Sequence, residues 1–202
     1  MSTLELKELS HPAGEVIKIA SGKTLDLKTQ GSVTMPTGSV LQVVNTVIDT
    51  FNSSTSSSYV ASDILLSITP ISTTSKILVK MNVWGASNKG AWATYRLYRG
   101  ISGTYSHISA ASATHSVATH GTEASGFMSS WYNPTYDNHE HKAVMMSGEY
   151  LDSPSSTTAV TYKLYYRPRS GGTAYINRTN HGTTGDHNSF GISSVTLMEI
   201  AG

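Results

Sequence analysis

From Ile17 to Val43 an apolar-x-apolar triplet returns every eight residues and then stops: Ile17-x-Ile19, Leu25-x-Leu27, Val33-x-Met35 and Leu41-x-Val43. The polar turn words ASGK, KTQG and PTGS lie between them. Gly14, Gly22 and Gly38 fall on the same grid, with Gly31 one place off it. Each triplet sets two apolar side chains on one face of a strand only about 10 Å long, at ~3.3 Å per residue. Passes this short cannot make an independently stable sheet, because one chain supplies few apolar contacts and leaves its strand edges open. Three copies wound round one axis would give every edge a partner and every layer the paired side chains of three chains. That is the stacking logic of quasi-one-dimensional repeat proteins. A glycine at each corner permits a positive φ or a close backbone approach. The expected core of such a trimeric stem is Ile17, Ile19, Leu25, Leu27, Val33 and Met35. The alternative is an N-terminal arm whose strands pack on the body of the same monomer.

The repeat gives way near MPTGSV (Met35–Val40), where strands lengthen and aromatic residues begin; all 11 tyrosines and all three tryptophans follow Val43. The expected organisation is a stem or attachment arm over residues 1–39 and a body over residues 40–202. In SKILVKMNVWG the side chains alternate, with Ile77, Val79, Met81 and Val83 on one face and Leu78, Lys80, Asn82 and Trp84 on the other. AWATYRLYRG, AVMMSGEYLDSP, TAVTYKLYYRPR and GISSVTLMEIAG read the same way, separated by turn clusters such as NSSTSSS and DSPSSTT. No segment keeps a helical period. The predicted fold class is all-β: the stem, then a jelly-roll-like β-sandwich knob of about eight strands.

Composition narrows the function. Charged residues make up 13% of the 202, the net charge is +1, and no run of lysine or arginine occurs, which disfavours nucleic-acid binding. No apolar stretch approaches the ~18 residues of a membrane span, and the first residues lack the apolar core of a secretory leader. With no cysteine there is no disulfide scaffold, thiolate metal site or cysteine nucleophile.

The stretch IASGKTLDLKTQGSVTMPTGSVLQVV (Ile19–Val44) resembles the short β-repeat stems of bacteriophage tail fibres, particularly those of marine and cyanobacterial phages. The ending SSVTLMEIAG (Ser193–Gly202) is similar to the knob ends in that group. The resemblance covers the first 44 residues or so and the last ten. It implies a homotrimeric virion appendage, made in the host cytoplasm, joined to other virion proteins through its N-terminus and touching a host-surface glycan or protein with its knob. A capsid decoration, head fibre or collar protein without a receptor role is the alternative. No binding residue carries over from the resemblance.

Candidate sites follow from local chemistry. Trp131, Tyr132 and Tyr136 surround an Asn-Pro turn in SSWYNPTYDN, where ring faces beside amide and carboxylate groups suit sugar binding, unless they are buried as core or subunit contact. The polar insertion SGGTAYINRTNHGTTGDHNSFG (Ser170–Gly191) offers Tyr175, Asn177, Arg178, Asn180, His181, Asp186 and His187 for receptor contact; a mobile hairpin is the alternative. His139 and His141 share one face of a strand, and three copies would place six imidazoles round an axis able to hold a transition metal. Otherwise they are two solvated loop histidines, and no cofactor is needed. Similar, weaker expectations attach to His107, His115 and His120. The body holds nine acids, whose nearest pairs, Asp137/Glu140 and Glu149/Asp152, look like turn residues, and no catalytic motif accompanies them. The chain is therefore expected not to be an enzyme. With so few charges, binding is expected to rest on hydrogen bonds and stacking and to depend weakly on salt.

Overall fold

A computed structural model of the chain describes residues 21–22, 34–88, 92–112, 126–130, 143–168, 171–179 and 189–202. The chain divides into two compact units, Met1–Thr34 and Met35–Gly202. In the first, Gly22 takes a turn with φ of +74°; Ile17, Ile19, Leu25, Leu27 and Val33 lie outside the described residues. Met35, the first residue of the second unit, is 45% exposed.

The PTGS turn belongs to the second unit. The Ser39 amide donates to the Pro36 carbonyl (3.0 Å), and Gly38 holds φ at +88°, a value that a residue with a Cβ reaches only at a cost. The Gly38 amide then donates to the Ala201 carbonyl and the Ala201 amide to the Ser39 carbonyl, both at 2.8 Å.

Among the described residues are 11 strands: β1 (Val40–Ile48), β2 (Asn52–Ser54), β3 (Val60–Ile68), β4 (Lys76–Ser87), β5 (Ala93–Ile101), β6 (Thr104–His107), β7 (Met128–Ser130), β8 (Val144–Asp152), β9 (Val160–Pro168), β10 (Ala174–Ile176) and β11 (Ser193–Ile200). One 3-10 turn, Ser109–Ala111, joins them, and no α-helix occurs among the described residues. The strands form two antiparallel sheets, an all-β sandwich. In sheet I, β4 pairs with β8 on one side and with β11 and β10 on the other; β1 lines β11, and β2 lines β10. Thus β1 and β2 are one strand line with a break, and so are β10 and β11. Sheet II runs β3, β9, β5, and the far side of β5 is shared by β6 and β7, again one interrupted line. Counted as lines there are four strands in each sheet, or eight in all, the number expected from sequence spacing. Numbered along the chain, their order is 1-8-3-6 in sheet I and 2-7-4-5 in sheet II.

Alternation creates the core. Ile77, Val79, Met81 and Val83 are fully buried, as the period-two reading of β4 requires, and join Val195, Leu197 and Met146 on the inner face of sheet I. Ile64, Ile68, Leu97, Val160 and Leu164 meet them from sheet II, with Tyr95, Tyr162 and Tyr166 supplying the largest apolar bodies.

Glu199, also fully buried, ties β1, β11 and the β3–β4 connection together. The Ile71 amide donates to its Oε1 (2.7 Å), and the Gln42 side-chain amide donates to its Oε2 (2.5 Å) and to the Thr69 carbonyl (2.8 Å). Burial opposes the charge, but hydrogen bonding from the Gln42 side chain and the Ile71 amide outweighs it and holds the carboxyl below its ordinary value. A lowered folded pKa contributes stability that is present above the unfolded value, about 4.3 for glutamate, and is lost as pH falls through the folded one. The urea midpoint should therefore hold on acidification to about pH 5 and then fall. Glu199→Gln should lower the neutral-pH midpoint and flatten the acid limb. An acid limb as steep as that of the unsubstituted chain would show that Glu199 does not carry it.

Candidate functional site

The polar insertion expected as one recognition loop is built differently from that expectation. Its first residues form β10, inside the sandwich, and the chain leaves the strand line only at Asn177. Asn177 takes φ of +61°, the left-handed conformation that asparagine tolerates better than most residues. It spends its polar groups internally. Its side-chain amide donates to the Ile48 (2.9 Å) and Thr50 (3.0 Å) carbonyls. Its Oδ1 accepts from the Ser193 hydroxyl (2.6 Å), its backbone amide donates to the Trp84 carbonyl (2.8 Å), and its carbonyl accepts from the Gly191 amide (3.2 Å). Asn177 thus closes the break between β10 and β11 and pins it to the break between β1 and β2. It is fully buried, so it holds the loop root and cannot touch a receptor. Tyr175 is likewise buried in β10, with the Arg178 guanidinium 4.9 Å from its ring centroid. Arg178 bridges to Phe190, which stacks on Phe51 at 5.0 Å.

Asn180, His181, Asp186, His187, Trp131, Tyr132, Tyr136, His139, His141, His115 and His120 lie outside the described residues. Among the described residues no three potential ligands gather at a metal-binding distance, and no helix is long and apolar enough to cross a membrane. Glu149 and Asp152 are in β8 rather than at a turn, and an odd spacing sends them to opposite faces: Glu149 is exposed, Asp152 buried.

The two outward faces of the sandwich have different chemistry. On sheet I, register sets Val43, Met198, Leu78 and Leu151 in one row across all four strand lines. Val43 is 54% and Leu151 47% exposed. The adjoining row is polar, Asn45, Thr196, Lys80 and Glu149, with the Asn45 amide donating to the Thr196 hydroxyl (2.8 Å). Beyond it stand Val47, Ser194, Asn82 and Ser147, and then Met145 beside Trp84. This is an apolar row on a strand face that otherwise carries polar residues.

Sheet II presents tyrosines and cations instead. Tyr98 of β5 and Tyr165 of β9 stack with ring centroids 4.0 Å apart. His107 leans on Tyr98 at 5.4 Å and Tyr105 on Tyr165 at 6.4 Å. Gly100, opposite Tyr105, makes this possible: a Cβ there would come within 2.6 Å of the Tyr105 ring. The Lys163 ammonium stands 5.7 Å from the Tyr105 centroid. Beside this stack the guanidinium groups of Arg96 and Arg167 lie 4.1 and 4.8 Å from the ring centroid of Tyr59. The Tyr59 hydroxyl is 3.0 Å from that of Thr94. Sequence reasoning passed over this face although its signal is present. In TYRLYRG and TYKLYYRPR the outward positions are Arg96, Tyr98, Lys163, Tyr165 and Arg167, where a merely solvated strand would carry serine or threonine.

Compared with known proteins, the chain matches no family model and is significantly similar to no curated protein.

Proposed function

We propose that this chain is a structural virion protein, a homotrimeric phage tail fibre whose C-terminal knob binds a host-surface glycan or protein during adsorption. The strand order 1-8-3-6 over 2-7-4-5 supports a jelly roll for the knob. The observation that carries the assembly is the apolar row Val43–Met198–Leu78–Leu151 on sheet I. The stem repeat leads in sequence directly into β1, an edge of that sheet. In a trimer, cyclic symmetry can cover each such row with its neighbours and take the apolar side chains out of water. Sheet II then faces away from the axis and is free for the host. The fibre acts without catalysis: three identical sites on one stalk convert weak contacts into lasting attachment.

The purified chain should sediment as three copies of 21.6 kDa, about 65 kDa, and in solution should block adsorption of the virions that carry it. A monomer at micromolar concentration overturns the fibre reading. A trimer that leaves adsorption untouched instead favours an appendage without a receptor role.

A further inference from the structure

We propose that the outward face of sheet II is a binding site for an anionic saccharide, with Tyr98, Tyr165 and Tyr105 as the sugar platform and Arg96, Arg167 and Lys163 as the acid-group contacts. The inference rests on the fibre reading only for its biological use; the site itself is argued from the face.

Its rings are set before any ligand arrives. Tyr98 and Tyr165 stand on adjacent central strands, pinned by their own stack, so a sugar laid on them orders few side chains and forfeits little affinity. A pyranose presents C–H groups to such a surface, and the tyrosine hydroxyls remain at its rim. Burial, followed by the nearby Arg96 cation, pushes the His107 imidazole below its ordinary pKa, so His107 extends the platform as a neutral ring.

The cations are available. Among the described residues the one ion pair is Arg99 with Asp152, inside the sandwich; Arg96, Arg167 and Lys163 have no carboxylate partner there. The Arg96 guanidinium lies over the Tyr59 ring, where its charge can attract a carboxylate or sulfate group laid on the face. The Arg167 Nη1 donates to the Ser57 carbonyl (3.1 Å), which fixes the guanidinium beside Tyr59 and leaves further donors. Asp63 of β3 is already occupied: the Asn52 side-chain amide donates to its carboxylate (2.7 Å). Three cations on one aromatic face of a chain with net charge +1 suit one or two acidic groups on a sugar rather than a phosphate backbone, which draws on many more. The weak salt dependence expected from average composition does not carry over to this face.

The test is titration calorimetry of the full chain at low salt with four probes: hexagalacturonate, a heparin hexasaccharide, neutral maltohexaose and a ten-nucleotide deoxythymidine strand. Hexagalacturonate or the heparin fragment should bind at least about tenfold more tightly than maltohexaose and weaken as salt rises. Preference for hexagalacturonate assigns the site to carboxylates, and preference for the heparin fragment assigns it to sulfates. Arg167→Gln should weaken the charged ligand by about tenfold or more, from the low end of one lost charge-assisted hydrogen bond upward, and Tyr105→Ala should weaken charged and neutral sugars alike. Lys80→Gln, on the opposite face, should change neither, and circular dichroism shows whether each variant is folded. Equal binding of charged and neutral sugars, an unchanged Arg167→Gln, or tighter binding of the nucleotide strand overturns the proposal. If no saccharide binds and the chain still blocks adsorption, the site falls and the fibre reading stands; sugar binding without that block does the reverse.

Discussion

Replacing Asp152 by alanine should lower the stability of the knob by about 3 kcal/mol, the low end of what removing one partner of a buried ion pair costs. Asp152 ends β8 with its carboxylate turned into the sandwich, 5% exposed. Both its oxygens lie 2.9 Å from the Arg99 Nη1, and Oδ2 also accepts from the Tyr162 hydroxyl (2.8 Å). It thereby links an edge of sheet I to the two central strands of sheet II. Burial, reinforced by the Asp152 charge, pushes the Tyr162 phenol far above its ordinary value, so the hydroxyl keeps its proton and goes on donating. Alanine would strand the Arg99 cation and the Tyr162 hydroxyl together. The Arg99 side chain is 31% exposed, so water recovers part of that loss, which sets the expected effect at the low end. Tyr162→Phe removes one hydroxyl and leaves the ion pair, and should cost about 1 kcal/mol. Urea midpoints at one fixed protein concentration, since assembly contributes to apparent stability, decide the matter. If Asp152→Ala unfolds at the same urea concentration as the parent, the pair does not hold the sheets together.

Much of this framework was legible in the sequence because it rests on period two. Ile77, Val79, Met81 and Val83 alternate with polar residues, and only one face of β4 can then be inside. Asp152 was not legible, because a lone carboxylate at the end of a strand carries no local sign of which way it points. Its burial depends on Arg99 and Tyr162, which arrive from other strands. The same blindness misplaced Asn177. Its polar surroundings read as a loop, whereas its role is set by carbonyls of Ile48, Thr50 and Trp84, distant in sequence. The eight strand lines could be counted from spacing, but not the interruptions at β1/β2, β6/β7 and β10/β11, since turn words look alike at a strand end and at a break. The tyrosine–cation face was overlooked for a different reason. Each of its strands shows tyrosines and cations at outward positions, but only the register of β5 against β9 brings Tyr98 onto Tyr165.

In the proposed trimer, placing lysine at both Leu78 and Met198 should separate the three knobs. In one copy the change is mild, because both side chains already point outward and a lysine stem can lie along the sheet with its ammonium in water. At a three-fold axis it is severe: six ammonium groups replace the middle of three apolar rows, with no carboxylate but Glu149 in the adjoining row to answer them. The chain has no cysteine, so Ser194→Cys, outward on β11 two residues from Thr196, gives a single thiol that reports on the face. It should react with a maleimide far more slowly in the parent background than in the double-lysine background, while a thiol at Ser67, outward on β3 of sheet II, reacts alike in both. This reading holds even where the stem repeat keeps the mass trimeric. Fast labelling of Ser194→Cys in the parent trimer would remove sheet I from the interface and leave the stem alone to assemble the fibre. If the knobs do part, surface attachment should fall by about 10²–10⁴-fold, the gain that linked sites give over single ones. The tyrosine–cation face, on the other side of the sandwich, would keep its own affinity for each ligand.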